Sequence, residues 1–551
     1  MKRALALAGA LLCIGCTHLP RGTESFYGTL EPFASESVYL VVTDRFVNGD
    51  PSNDYRDQGG ANYSFDRPIQ GPNGETDNIG YLGGDFKGLL QHASYIRDMG
   101  FTAVWITPIV DNPDEAFTGG DPVSWGSFLT DRGKSGYHGY WGVNFYRLDE
   151  HLPSDDLDFA GLTRGMKQSG LKVVLDIVAN HGSPSFTMPA NQPKFGEIYA
   201  EDGRLLADHQ NLTPERLEPR SNPLHSFFHA EKDLAQLSNL DDTNPAVQDY
   251  LIGGVLKWLD QGAEALRIDT IRHVPHAFWK LFSERIRAKH PDLFMFGESF
   301  DYEPNNIAKF THADGGSMSV LDFPLQKQLM AVFQQSGTDF AALAPALWLE
   351  DGPYRNPYEL MTFYDNHDMA RFNGSDEAFI DVHNWLFTAR GIPVVYYGSE
   401  IAFMRGRAEH AGNRNYFGAQ RAADATSHRI YAAMRRIAAV RNASPALQRG
   451  LQLNVRMQGD EAAFYRVFQH DGTTQTALVL LNKSDSPRTM RVTEFLERGA
   501  WIDAMSRKTL MATNEVAVDV PAHGVRVMLR DEPITRADTQ AALRRLMQSV
   551  R

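Results

Sequence analysis

Four short stretches of this 551-residue chain each begin apolar and end in a cluster of Asp, Glu, His, Asn or Arg. They are LDIVANH (175–181), ALRIDTIRH (265–273), MFGES (295–299) and FYDNHD (363–368). An apolar run that closes on such side chains reads as a buried strand with a working carboxyl end. In a parallel β/α barrel, branched apolar residues pack the strand interiors and the chemistry sits at the strands' carboxyl ends. Packing does not account for the same pattern four times over. The chain is therefore expected to be an enzyme.

Further strand-like runs occur at 38–43, 103–108, 318–322, 360–364 and 393–397, while the motifs themselves contribute 172–178, 265–268 and 293–297. Helical periodicity separates several of them, at 89–99, 246–261 and 277–288. Eight strands alternating with helices predict a (β/α)8 TIM barrel. The expected catalytic barrel occupies 36–181 and 241–449, interrupted by a connection at 182–240 that is rich in Pro, Asn, His and Asp. Connections of that length in a compact domain are normally functional. From 450 to 530 the pattern becomes short alternating strands, predicting a C-terminal antiparallel β-sandwich, and 531–551 has the spacing of an amphipathic helix.

The first residues bear on location. Lys2 and Arg3 precede an apolar run from 4 to 14 that is too short to anchor in a bilayer and has the shape of an export signal. It ends in Gly15-Cys16, which resembles a bacterial lipoprotein signal over 1–16, with Cys16 as the lipidated residue and 17–35 as a polar tether. Thr17 after Cys16 favours the outer membrane over retention, in an exported protein of Gram-negative type, while ordinary cleavage of the signal would leave it periplasmic or secreted. Cys13 and Cys16 are the two cysteines of the chain, so a mature protein forms no disulfide and has no cysteine metal site. A net charge of −14 argues against a nucleic-acid partner.

Arg267 and Asp269 are two residues apart on one strand and face the same side, so the guanidinium holds the carboxylate ionised. Glu298 closes the next strand, and adjacent strands about 4.8 Å apart can bring two carboxyl groups close together. A second cluster, Asn48-Gly49-Asp50-Pro51-Ser52-Asn53-Asp54 with Gly83-Gly84-Asp85, offers hard oxygen ligands that suit Ca²⁺.

Together the four motifs resemble the α-amylase family, glycoside hydrolase family 13, close to bacterial α-amylases and cyclodextrin glucanotransferases. The resemblance runs from about Val38 to Leu529. It implies that Asp269 is the nucleophile, Glu298 the general acid/base and Asp368 the third carboxylate, which supports the transition state through the sugar hydroxyls. His367 and His181 are expected to hydrogen-bond the same sugar ring. Tyr140, in the stretch Tyr137-His138-Gly139-Tyr140-Trp141, is expected to stack on that ring, with His138 beside it and Arg267 and His273 completing the substrate contacts. Asp176 matches a supporting position. The insertion at 182–240 matches the family's domain B. Asn48, Asp50, Asn53, Asp54, Gly83 and Asp85 match a structural calcium site. A second site would involve Asn180, the His273 carbonyl and Asn239, which stands where relatives carry an aspartate.

The implied activity is retaining hydrolysis of α-1,4-glucosidic bonds in starch or maltodextrins by double displacement, which uses two closely spaced carboxyl groups. A glucanotransferase, in which a sugar hydroxyl replaces water, uses the same residues. A non-catalytic glycan-binding lipoprotein is a third reading, disfavoured because all three carboxylates are present. The sequence does not define an oligomeric state.

Overall fold

The computed structural model describes residues 24–335, 337–408 and 412–550. The expected signal, Cys16 and Thr17 lie outside the described residues. Eight parallel strands form the central sheet: β1 Val38–Val41, β2 Ala103–Ile106, β3 Lys172–Ile177, β4 Ala265–Ile268, β5 Phe294–Gly297, β6 Ser319–Val320, β7 Met361–Thr362 and β8 Ile392–Tyr396. They lie in the order β6-β5-β4-β3-β2-β1-β8-β7. A parallel bridge between Leu321 and Met361 joins the two ends, so the sheet closes as the expected barrel. Nearly every strand residue is buried, as a barrel filled by its own side chains requires.

Departures from the expected elements have local causes. β6 is only two residues long because Asp322 already caps the helix Phe323–Gln334, its side chain accepting the Leu325 N–H. The helical pattern at 89–99 is two helices, Phe86–Gln91 and Ala93–Asp98, broken at His92. His92 leaves helical geometry with its ring Nδ1 2.9 Å from the Gly88 carbonyl oxygen.

In the connection after β3, His181–Pro184 pairs with Leu237–Asn239, and Glu197–Tyr199 pairs with Leu205–Asp208. The long loop after β2 folds against it. Phe117 and Trp141 from that loop share a small core with Met188 and Phe195 from the insertion. A six-stranded antiparallel sheet follows the barrel and is completed by the pair Arg488–Val492 and Val516–Val520. This is the expected C-terminal sandwich.

Residues 24–35 are not a tether. Phe26 is fully buried and bridges to Gln469, while Phe33 stacks on Phe294 with ring centroids 4.5 Å apart. Both apolar anchors sit among polar neighbours, so local composition does not reveal them. The helix Ala537–Leu546, for which the sequence suggested no role, buries Ala542, Leu543 and Leu546 in the core that also holds Phe26.

One clasp ties the barrel to the sandwich. His523 Nδ1 lies 2.7 Å from Asp381 on the barrel helix Asp376–Leu386, and Nε2 lies 3.0 Å from Asp485. The hydrogen bond to Asp381, opposed by partial burial and supported by Asp485, raises the imidazole pKa to about 9. A histidine whose folded pKa is raised contributes stability that is complete below about 6.5 and is lost as pH climbs through the folded value. Thermal melts of the wild type are expected to lose stability between pH 6.5 and 9 more steeply than melts of His523→Gln. Parallel pH profiles for the two proteins would show that the clasp contributes nothing.

Candidate active site

The register of three adjacent strands brings the charged groups together. Arg267 on β4 is paired with Asp176 on β3 and Phe296 on β5, and Ile268 is paired with Gly297. Asp269 and Glu298 therefore leave β4 and β5 at the same level. Their backbone N–H groups still donate to the preceding strands, Asp269 to the Ile177 carbonyl at 2.9 Å and Glu298 to the Ile268 carbonyl at 2.8 Å. Alternation along β4 points Arg267 and Asp269 to the same side, so both face the barrel axis.

The guanidinium of Arg267 is wholly buried and meets three carboxyl groups. Nη1 donates to Asp269 Oδ1 at 2.9 Å and to both Asp176 oxygens at 2.9 Å. Nη2 lies 2.9 Å from Glu298 Oε2, a Coulombic contact without hydrogen-bond geometry. Asp176 also accepts from Trp105 Nε1 at 2.9 Å and from the Tyr140 hydroxyl at 2.8 Å, which fits the supporting position expected for it. Burial, aided by the Asp269 carboxylate, pushes the Asp176 carboxyl up to about 7, against the pull of Arg267 and the Tyr140 hydroxyl.

The two carboxyl groups that face the cleft are in different electrostatic states. Burial, with Arg267 opposing and Asp368 and Asp269 adding repulsion, raises the Glu298 pKa well above the usual carboxylate range. Glu298 is thereby biased towards its protonated form, while Asp269 has a direct hydrogen bond from Arg267. Two carboxyl groups placed in such different surroundings are suited to separate acid and nucleophile roles.

The other expected site residues surround this pair. Tyr140 stacks parallel to His367, with centroids 5.4 Å apart, and its hydroxyl lies 2.7 Å from His367 Nε2. Burial holds His367 neutral, with its pKa lowered to about 3. His367 Nε2 is also 3.1 Å from Asp368, which accepts from Arg414 Nη2 at 2.5 Å. His138 accepts the Tyr140 N–H at 3.1 Å through Nδ1, and His181 is buried with its pKa lowered by desolvation. Tyr140, His138, His181, His273, Asp269 and Glu298 all line one open cleft of about 350 Å³.

Two polar partners escaped the sequence reading. Arg414 holds both Asp368 and the His367 carbonyl, at 2.8 Å through Nε, but comes from an aperiodic loop after β8 that carries no motif. Asp233 lies in the insertion and bridges Asn180 Nδ2, at 3.0 Å, and His273 Nδ1, at 3.0 Å. Asn239 was expected where relatives carry an aspartate, but the side chain that meets Asn180 and His273 is that of Asp233. A carboxylate is present there, while Asn239 directs its amide to the Glu231 carbonyl. Asp233 thus draws Asn180 and His273 together.

The other ligand cluster does converge. Asn48 Nδ2 donates to Asp54 Oδ1 at 2.7 Å, and a Cβ on Gly83 would come within 2.4 Å of that same oxygen. The side-chain oxygens of Asn48 and Asn53 are buried without partners. Uncompensated buried oxygens beside a carboxylate are costly unless a cation faces them, so these residues fit one. Asp50 and Asp85 are partly committed elsewhere. Asp50 accepts from Ser52, and Asp85 accepts the N–H groups of Gly49, Asp50 and Gly88 as it caps the helix after it.

A (β/α)8 barrel bearing paired carboxyl groups on adjacent strands, with a third carboxylate opposite, defines the class. Residues 40–436 match the family described as "Alpha amylase, catalytic domain". The chain belongs to the alpha-amylase family. It is 30% identical over 463 residues to a cyclomaltodextrin glucanotransferase of Geobacillus stearothermophilus, covering 82% of this chain and 60% of that protein. It is 28% identical over 460 residues to an alpha-amylase of Niallia circulans, covering 82% and 81% respectively. The structure of CldA, described as a cyclomaltodextrin glucanotransferase with a three-domain ABC distribution, superposes with a TM-score of 0.72 at 29% identity, covering 90% of this chain and 99% of that one. The chain thus spans about 60% of the length of several curated relatives that it matches.

The electrostatic assignment is testable without turnover. Replacing Asp368 with Asn removes a repulsive charge and should lower the Glu298 pKa, though not to normal, because burial is the larger cause. Infrared difference titration reads the carboxyl directly. A wild-type Glu298 that titrates near the ordinary value of about 4.3 would refute the arrangement.

Proposed function

We propose that the protein is an α-amylase-type retaining glycoside hydrolase that cleaves α-1,4-glucosidic bonds in starch or maltodextrins. The observation that carries this reading is the single guanidinium shared by Asp269 and Glu298, each 2.9 Å from it, in which only Asp269 receives the hydrogen bond. Retaining enzymes use closely spaced carboxyl groups whereas inverting pairs stand further apart to admit a water, and a pair that shares one guanidinium from adjacent strands supports the former.

In the first step, the ionised Asp269 oxygen attacks the anomeric carbon. The glycosidic C–O bond breaks, and the Glu298 proton passes to the departing oxygen. Positive charge that develops on the ring is met by Asp368, whose carboxylate Arg414 holds in place. In the second step, Glu298, now ionised, takes a proton from water as the water oxygen attacks the anomeric carbon and releases Asp269. Tyr140 supplies the ring face against which the sugar is positioned, and it is held from behind by Asp176 and His367.

The second reading is a glucanotransferase, favoured by the relatives that carry that name at 28–30% identity. The two differ only in whether water or a sugar hydroxyl opens the covalent intermediate. Product analysis from soluble starch and maltoheptaose separates them. We expect linear maltooligosaccharides with rising reducing ends, and a loss of at least about 10³-fold in Asp269→Asn. Cyclic or elongated products with few new reducing ends would replace the hydrolase with the transferase.

For the cluster at Asn48, Asn53, Asp54 and Gly83, with Asp50 and Asp85 in support, the ligand we propose is Ca²⁺. Bound there, it would neutralise the buried oxygens and pin the loop after β1, without taking part in bond cleavage. A calcium chelator should lower the Tm by about 2–3 °C if the ion is held at 100 times its Kd. Asp54→Ala should start lower and lose the response. A wild-type melt that neither chelator nor added calcium moves would rule the site out.

A further inference from the structure

Residues 24–37 run beneath the barrel, on the side away from the cleft. The Glu24 carboxylate takes two hydrogen bonds from Arg544, at 2.7 Å each, and Phe26 exchanges backbone hydrogen bonds with Gln469 at 2.8 and 2.7 Å. Gly28 and Thr29 then donate to the Arg449 carbonyl, at 2.7 and 3.1 Å. From there the segment touches the amino end of one barrel strand after another. The Thr29 hydroxyl donates to Glu359, shortly before β7, at 2.8 Å. Phe33 stacks on Phe294, the first residue of β5, and Glu36 pairs with Lys172, the first residue of β3, at 2.8 Å. The Ser37 N–H donates to the Thr102 hydroxyl, just before β2, at 2.9 Å. The catalytic carboxyl groups stand at the other ends of these strands, and the 6 residues of β3 alone span about 20 Å.

This route fixes where the chain enters the folded body. Glu24 is no more than about 18 Å of chain from Thr29 on the amino face. Its own partners, Arg544 and Gln469, belong to the C-terminal helix and the sandwich. The entry point is therefore on the side opposite the cleft. Residues 17–23 alone separate Glu24 from Cys16. The eight steps from Cys16 to Glu24 reach at most about 28 Å. A compact chain of this size has a radius of gyration of about 24 Å and is about 60 Å across. A body held by so short a spacer cannot turn its far side to the surface that holds the other end. A net charge of −14 gives the body no attraction to an anionic headgroup layer, so the spacer rather than a basic face sets the orientation.

We propose that the protein is held on a lipid bilayer through an acylated Cys16, with the amino face of its barrel towards the headgroups and the active cleft towards the aqueous side. The inference rests on the lipoprotein reading of residues 1–16 and is the same for either face of the membrane. Its consequence bears on the substrate. A glucan too bulky to pass beneath the enzyme still reaches the cleft from the open side, so anchoring and action on a polymer are compatible without release from the membrane.

The test uses the acylated protein in vesicles of phosphatidylethanolamine and phosphatidylglycerol that contain a lipid with a spin-labelled headgroup. Cys13 lies within the signal and Cys16 would carry the lipid, so an added cysteine takes a fluorophore at one position only. Leu30 and Arg545 are exposed on the entry side, and Ser124 is exposed in the loop whose Phe128 and Leu129 line the cleft. Leu30→Cys, Arg545→Cys and Ser124→Cys are labelled in turn, with melts recorded for each. The labels at positions 30 and 545 should be quenched at least about threefold more than the label at 124, as the lengths of spacer and body require. Equal quenching at the three positions, or the strongest at 124, would overturn the orientation while leaving the anchor in place. Labelling with radioactive palmitate decides the premise: the wild type should take up the label and float with the vesicles, and Cys16→Ser should do neither. A wild type that takes up no label removes the anchor and the orientation together, and the hydrolase reading stands apart from both results.

Discussion

The active face of this barrel is organised around one desolvated guanidinium. Arg267 has no access to water, and burying an ion this deeply is tolerable only when carboxylates and hydrogen bonds replace its hydration. Asp176, Asp269 and Glu298 provide that compensation from three consecutive strands, so the charge locks β3, β4 and β5 in register at their carboxyl ends. The compensation is incomplete. Nε and Nη2 of Arg267, and Oε1 of Glu298, have no hydrogen-bond partner. That imbalance is what separates the two carboxyl groups that face the cleft. Asp269 receives the hydrogen bond, and Glu298 has only a Coulombic contact in a dry, negatively charged surrounding that favours its protonated form. Removing Arg267 would leave three buried carboxyl groups facing one another, so the same side chain serves both fold and chemistry.

Around this centre, the substrate-facing side chains are positioned by groups behind them. The Tyr140 hydroxyl is engaged by Asp176 and His367, Asp368 by Arg414, and His273 by Asp233. These partners come from β3, from the loops after β7 and β8, and from the insertion. The cleft is thus a junction of four separately encoded segments. Its walls depend on the packing between the post-β2 loop and the insertion, where Phe117, Trp141, Met188 and Phe195 form a small core of their own. Two segments with only short strand pairs of their own stabilise one another there and so hold the upper edge of the cleft over the strand ends.

The sequence was most legible where local pattern and tertiary role coincide. All eight barrel strands were visible as apolar runs, and the residues that end them, Asp269, Glu298, Asp368 and the motif histidines, are brought together around one cleft or directly behind it. Strand length was less legible at β6, because a helix cap at Asp322 cuts it short and caps act through geometry rather than hydropathy. Phe26 and Phe33 were passed over because their neighbours are polar, although their anchors, Gln469 and Phe294, lie hundreds of residues away. Arg414 and Asp233 were missed for a related reason. Each lies in an aperiodic segment, and nothing within a few residues indicates that its partners will be Asp368 or His273.

The sequence by itself determined the class of fold and which polar residues gather at the strand ends, because hydrophobic period and the type of residue at a strand's end are properties of neighbours along the chain. Only the tertiary structure decided how those groups are charged and supported. Which carboxyl keeps its proton depends on how much water each has lost and how one guanidinium is shared, and both are set by segments hundreds of residues apart. The path of residues 24–37 belongs to the second category. Its first part looks like a polar tether in the chain and becomes the underside of the barrel only through partners that the rest of the fold places beside it.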